Sequence, residues 1–283
     1  MTIRTIKTAL QSVPTLEGAG VHLKRAFGYS QLNQFDPFLM LDDFHSSNPA
    51  DYLPGFPWHP HRGIETITYL LEGVVEHGDS MGNRGTISAG DVQWMTAGSG
   101  IIHQEMPQES PTGTMWGFQF WANLPAERKM MHPRYQDLKA ADIPLVELAG
   151  GVTVKVIAGT VGGVQGPVRD IVIDPEMLDM SVPANTVYEH PLPEGHTAFA
   201  YIIAGSAVLD QSDRAYGAET VVLFEHQGDI VRIAAQQEGV RLLFVAGKPL
   251  GEPVAWGGPI VMNTREELRL AFEEYEKGTF IKH

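Results

Sequence analysis

Cysteine is absent from the 283 residues. That removes disulfides, thiolate metal sites and a cysteine nucleophile together, and it suits a cytoplasmic protein. Positive charge is scarce as well: 20 Lys and Arg stand against 34 Asp and Glu, for a net charge of −14. The basic residues, Arg25, Arg62 and Arg84 among them, are scattered rather than clustered. An acidic chain without a basic stripe has no electrostatic footprint for phosphate backbones. Direct contact with nucleic acid or with a membrane surface is therefore not expected. Long hydrophobic runs are also missing. The longest, such as TVVLF and RLLFVAG, are strand-sized, whereas a membrane helix needs about 20 apolar residues. The opening MTIRTIKTAL has neither a long apolar region nor a small-residue cleavage site, so no signal peptide is expected.

What is present is the material for a packed core. Hydrophobic residues make up 43% and charged residues 19% of the chain, a balance that disordered chains do not have. Short apolar or alternating segments are broken at near-regular intervals by Gly, Pro, Asn and Asp, as in GIETITYLLEG, GTISAGDVQWMTAG, TMWGFQFWANL and GVTVKVIAGTVGG. This spacing predicts an all-β protein of antiparallel sandwiches or barrels. Only TREELRLAFEEYEKG reads as a helix. Thr264 caps it with Glu267 three residues on, Leu268, Phe272 and Tyr275 share a face, and Gly278 ends it.

An internal repeat divides the chain. TITYLLEGVVEH at 66–77 is similar to AFAYIIAGSAVL at 198–209, and each copy is followed by a Gly-Asp turn, Gly90-Asp91 and Gly228-Asp229. Two copies of one β-unit account for the length better than a single large barrel. The expected division is a first domain over 1–135, a connection over 136–149, a second domain over 150–245, and a tail with the helix over 246–283.

The chemistry concentrates in two short stretches. PWHPHRGIETITYLLEG places His59, His61 and Glu65 at i, i+2 and i+6. Alternation along a strand would put all three on one face, with Gly63 leaving room between them. About forty residues later, GSGIIHQEMP places His103 and Glu105 again at i, i+2. If the intervening short strands return the chain beside its start, three imidazoles and a carboxylate meet at one interior point. Such a set, without thiolate, suits Fe(II), Mn, Ni, Cu(II) or Zn. A six-coordinate ion would keep about two positions for water or substrate. The remaining histidines, His22, His45, His77, His132, His190, His196, His226 and His283, have no such company and read as structural or surface residues. Trp116, Phe118 and Phe120 recur with a period of two and read as core more readily than as a substrate wall. Met95 and Met106, inside the motif segments, are candidate pocket residues.

HPHRGIETITYLLEG and GDVQWMTAGSGIIHQEMP, with GPIVMNT at 258–264, resemble the pirin family of bicupins, and the resemblance runs essentially from end to end. It implies two antiparallel β-barrel domains of the jelly-roll, or cupin, type with a short C-terminal helix. It also implies one mononuclear divalent metal per chain in the N-terminal domain, Fe(II) first, with Mn, Ni, Cu, Zn or Co as alternatives. Carried over by motif, the ligands are His59, His61, His103 and Glu105, with Glu105 also a candidate base. Glu65 stands where the wider cupin pattern has its carboxylate ligand, and is assigned as a supporting partner or alternative carboxylate. In the second repeat the matching positions are Pro191, Pro193, Thr197 and Arg241, none a good ligand, so that domain is expected to be metal-free.

The family implies two functions. Several pirins act as quercetin 2,3-dioxygenases, opening a flavonol ring with O2 and releasing carbon monoxide. Others are protein-binding regulators, including transcriptional co-factors, in which iron is a structural or redox switch and a protein partner replaces the substrate. Oxygen-independent isomerase or epimerase chemistry of other cupins is a third, weaker reading. GSG at 98–100 is not a nucleophile elbow, and Gly98, Gly100 and His103 do not complete a dinucleotide fingerprint.

Overall fold

A computed structural model describes residues 2–110, 112–171 and 173–282; His283 lies outside them. The chain forms two compact units. The first comprises Val13–Leu32, Phe38–Ala140 and the chain from Leu250 onward; the second comprises the chain up to Ser12, Asn33–Pro37 and Ala141–Pro249. The expected boundaries therefore shift at both ends. The strand Ile6–Gln11 pairs antiparallel with Thr220–Phe224, which draws the first residues into the second unit's sheet. The tail returns to the first unit, where Ile260 bridges to Arg62.

The first unit is built on two large antiparallel sheets, with a two-stranded hairpin of Ala255–Gly257 and Ile260–Met262 besides. One is seven-stranded, in the order Arg134–Leu138, Val92–Thr96, Ile64–Glu72, Met115–Asn123, Phe38–Ser46, Val21–Phe27 and Val13–Glu17. The other is four-stranded, in the order Phe56–His61, Ile101–Gln108, Val74–Asp79 and Arg84–Ser88. Leu23, Phe44, Leu70 and Met115 from the first pack with Val75 and Ile87 from the second. This is the expected jelly-roll cupin, with one difference. The sheets are open and stacked rather than closed into a barrel, a common solution for two apolar sheet faces.

Strand alternation is clear where the site is built. Ile101–Gln108 alternates buried and half-buried positions without interruption, so His103 and Glu105 share the inward face with Ile101 and Pro107. In Met115–Asn123, Phe118 and Phe120 are buried core residues, as expected. Trp116 departs from them: it is half-buried and stacks on His45 at 4.1 Å between ring centroids. Met95 lies in the core with Leu39, Ile64 and Ile101 rather than in a pocket wall.

In the second unit nine strands form one sheet. Its 18-residue strand Ile230–Gly247 pairs with Val187–Pro191 early and with Glu176–Val182 late, while Thr197–Val208 runs along most of it. The repeat seen in the sequence is present in the backbone. Gly73 and Gly205 both take positive φ, at 97° and 72°, as do Gly90 and Gly228 at 87° and 104°. Arg241, at the position matching His103, makes a two-point ion pair with Asp179 at 3.0 and 2.7 Å.

The helix spans Arg265–Glu276, with the Glu267 amide donating to Thr264 Oγ1 and the Thr264 amide donating to a Glu267 carboxylate oxygen. Its inward residue is Ala271, while Phe272 and Tyr275 are 37% and 40% exposed, so the apolar face read from sequence is only partly covered. Among the described residues no helix is long and apolar enough to cross a membrane.

Candidate metal centre

Phe56–His61 runs antiparallel to Ile101–Gln108, with His59 opposite His103 and His61 opposite Ile101. Three imidazoles converge as a result. Their ligand nitrogens lie within 4.8 Å of one another, and the ring centroids are 4.4 to 5.0 Å apart. His59 Nδ1 donates to the Pro57 carbonyl at 2.8 Å, and His61 Nδ1 donates to the Pro259 carbonyl at 3.0 Å. A carbonyl can only accept, so each ring carries its proton on Nδ1 and presents a bare Nε2. Those two Nε2 atoms are 3.0 Å apart.

Burial, reinforced for His61 and His103 by neighbouring imidazoles, holds all three rings below the ordinary histidine pKa, His61 and His103 well below it. Neutral rings with facing lone pairs are in register for a shared cation. A 3.0 Å gap is what two nitrogens each about 2.1 Å from one ion give at roughly a right angle. His103 completes the fit: it is buried, and neither ring nitrogen has a hydrogen-bond partner among the described residues. Orphaned buried nitrogens are rare enough to call for a ligand.

The two glutamates separate. Glu105 is not among the converging ligand atoms, but it lines the cavity that also contains His59 and His61. Burial pushes its carboxyl up to about 7, against the opposing pull of Thr68. Thr68 Oγ1 lies 2.9 Å from Glu105 Oε1 and 2.8 Å from Gln119 Oε1. One hydroxyl has one proton to give. Both contacts are hydrogen bonds when Glu105 is protonated, donating to Thr68 while Thr68 donates to Gln119.

Glu65 does not join the imidazoles. Its oxygens accept from Trp94 Nε1 at 3.0 Å and Thr96 Oγ1 at 2.6 Å. The shared face expected for His59, His61 and Glu65 fails at Gly63, whose φ of 79° ends one strand. Glu65 belongs to the next strand, Ile64–Glu72, in the other sheet. A Cβ at Gly63 would lie 2.0 Å from the Val261 carbonyl oxygen. Gly63→Ala is accordingly expected to cost at least about 2 kcal/mol from the left-handed backbone and the clash, read as a lower denaturation midpoint.

His59 and His61 open onto a cavity of about 640 Å³, within the usual range for small-molecule sites. An aromatic wall leads away from the imidazoles: His61 meets Trp121 at 5.1 Å, Trp121 meets Trp256 at 5.8 Å, and Trp256 meets Tyr29 at 5.5 Å. Phe44, Phe56, Leu23 and Met40 also line the cavity. Arg25 lines it too, but its guanidinium is engaged by Asp42 at 2.8 and 2.7 Å and by Glu17 at 2.9 Å. The space is thus flat-sided, apolar and without an unpaired cation on Arg25.

Two family descriptions match the chain, Pirin over residues 20–122 and Pirin C-terminal cupin domain over 177–281. A pirin-like protein of Caulobacter vibrioides is 44% identical over 283 residues, 99% of this chain and 100% of its own. The chain belongs to the pirin family. Pirin-like protein 2 of Arabidopsis thaliana is 45% identical over 269 residues, 93% of this chain and 81% of its own. A crystal structure of quercetin 2,3-dioxygenase from Acinetobacter baumannii matches with a TM-score of 0.91 at 32% identity, covering 99% of each chain.

In this pirin, sequence reasoning missed the acceptor at Pro259 and the wall at Trp121, Gln119 and Trp256. Gln119 and Trp121 sit at the alternate positions to Phe118 and Phe120, so the strand period pointed to them. It did not say which face met the cavity. Nothing local pointed to Pro259, 198 residues from its partner.

Proposed function

We propose that His59, His61 and His103 hold one mononuclear divalent metal, Fe(II) first, with Glu105 as the fourth ligand. On this reading the chain catalyses O2-dependent opening of a flavonol-type ring. The observation that carries the reading is the junction of three neutral imidazoles with an aromatic-walled cavity that also contains a carboxyl of pKa about 7. The likeness to a quercetin 2,3-dioxygenase structure supports it.

When bound, the metal supplies a Lewis-acidic position for the substrate's oxygens and a route for electrons toward O2. The chain's residues do the rest. Trp121, Trp256 and Tyr29 hold a planar polyphenol edge-on and keep bulk water away. Glu105 in its ionised form takes the proton of the substrate hydroxyl. The resulting acid hydrogen-bonds to Thr68, whose hydroxyl in turn donates a hydrogen bond to Gln119 Oε1. A base with a pKa near 7 is well matched to this transfer at neutral pH.

The test is oxygen consumption with quercetin and iron-loaded protein, beside a metal-stripped control and His61→Ala. Uptake is expected only with the loaded, unaltered chain, falling at least about 100-fold in His61→Ala while its folded baseline persists. Iron-loaded protein that takes up no oxygen would reject the dioxygenase and favour the metal-dependent protein-binding regulator.

A further inference from the structure

The two hydrogen bonds that set the ligand tautomers have different origins. His59 uses the carbonyl of Pro57, two residues away, whereas His61 uses that of Pro259, 198 residues away. Pro259 lies in a small hairpin between Ala255–Gly257 and Ile260–Met262. The buried Lys129 side chain fastens that hairpin to the ligand strand, and the buried Arg62 side chain fastens the helix and tail that follow it.

Lys129, 2% exposed, donates to the Gly63 carbonyl at 2.8 Å, Asn123 Oδ1 at 2.6 Å and the Val261 carbonyl at 3.0 Å. All three ammonium protons are used, and they join the residue two past His61 to the residue two past Pro259. Arg62, also 2% exposed, donates to the Ser99 carbonyl at 2.7 Å, to Glu274 at 2.7 Å and to the Phe280 carbonyl at 2.8 Å. Its guanidinium lies 4.2 Å over the Phe280 ring, and its own carbonyl accepts from the Val261 amide at 3.1 Å. Burying such groups is unfavourable unless their donors are satisfied; burial pulls the Lys129 ammonium down to about 7, and each of its donors, like the Arg62 donors named above, has an acceptor.

We infer that the hairpin Ala255–Met262 is a working part of the metal centre. Its Pro259 carbonyl fixes the tautomer and aim of His61; Lys129 is the positioning residue that holds the hairpin there, and Arg62 supports it from behind by holding Glu274 of the helix and the Phe280 carbonyl of the tail. The inference rests on the reading that the three histidines bind metal. It extends that site to a segment with no ligand of its own, through the acceptor that keeps His61 Nε2 bare and directed.

Fe(II) affinity, measured anaerobically by chelator competition, tests it. Lys129→Met keeps the side-chain length but removes three donors, and is expected to weaken Fe(II) binding about 10- to 100-fold. Glu274→Ala, which unpairs one arm of Arg62, is expected to weaken it about 3- to 10-fold and carries the test should Lys129→Met not fold. Phe244→Leu, in the second unit's core, supplies a destabilised control that must bind Fe(II) as the unaltered chain does. A readout independent of metal is the Nδ1–H signal of His61 in ¹⁵N-imidazole spectra, expected to lose its single-tautomer form in both variants. Wild-type affinity in the folded variants, or a loss matched by Phe244→Leu, overturns the inference. An unaltered chain that takes up no Fe(II) overturns the metal reading along with it.

Discussion

His103→Leu is expected to make the metal-free protein more stable and the metal-binding protein fail. The side chain is buried, and neither ring nitrogen has a hydrogen-bond partner among the described residues; each unsatisfied buried polar group costs about 1–3 kcal/mol. Leucine fills a similar volume without that penalty, so metal-stripped His103→Leu should unfold at a higher denaturant concentration than the stripped wild type. Metal affinity should fall at least about 100-fold with the loss of one of three converging imidazoles. The order then inverts on adding metal, because a ligand at 100 times its Kd stabilises the folded wild type by about 2.7 kcal/mol. Paired denaturation curves with and without Fe(II) read both halves. A less stable stripped mutant that still binds metal tightly would remove His103 from the site.

The second large effect is a pH dependence of opposite sign in the stability of the stripped protein and in its Fe(II) affinity. Burial raises the Glu105 carboxyl from 4.5 to about 7 in the metal-free fold. A raised folded pKa means that the folded state holds the proton more tightly than the unfolded chain. Its contribution is therefore complete below about 4.5 and lost as pH rises through about 7. The gap corresponds to an order of 3 kcal/mol. A bound cation favours the carboxylate, so Fe(II) affinity should climb with pH, roughly tenfold per unit below 7 from this group, and level off above it. The three imidazoles, held below their ordinary range by burial, titrate below Glu105. Glu105→Gln should flatten both the stability slope of the stripped protein and the affinity slope. Persistence of either slope in that variant would assign the titration to another group.

How far the sequence carried depended on the range of each signal. The spacing within H-x-H and within H-x-E was legible because a strand's period of two is local, whereas the adjacency of the two strands needed the four strands between them to bring the chain back. Glu65 was misplaced by the same rule. A period extrapolated through Gly63 is broken by one left-handed residue, and the two strands part into different sheets. The helix cap at Thr264 and Glu267 was readable because all its partners lie within four residues. The Pro259 carbonyl was not, since a backbone oxygen leaves no trace in residue type and its partner is far along the chain. The pairing of Ile6–Gln11 with Thr220–Phe224 was hidden for a related reason: many apolar strands compete for an edge, and alternation alone does not choose among them.

The exchange of ends between the two units also imposes a timetable on biosynthesis. The ribosome completes all three histidine positions before residue 104, yet the carbonyl that aims His61 is made only after the whole of Ala141–Pro249. The first strand produced, Ile6–Gln11, waits in turn for a partner more than two hundred residues later. A nascent or prematurely terminated chain can thus carry all three clustered histidines and still lack the Pro259 carbonyl that His61 Nδ1 meets. On the proposed metal reading, metal acquisition becomes a late step, open chiefly to chains whose synthesis has run past the final hairpin.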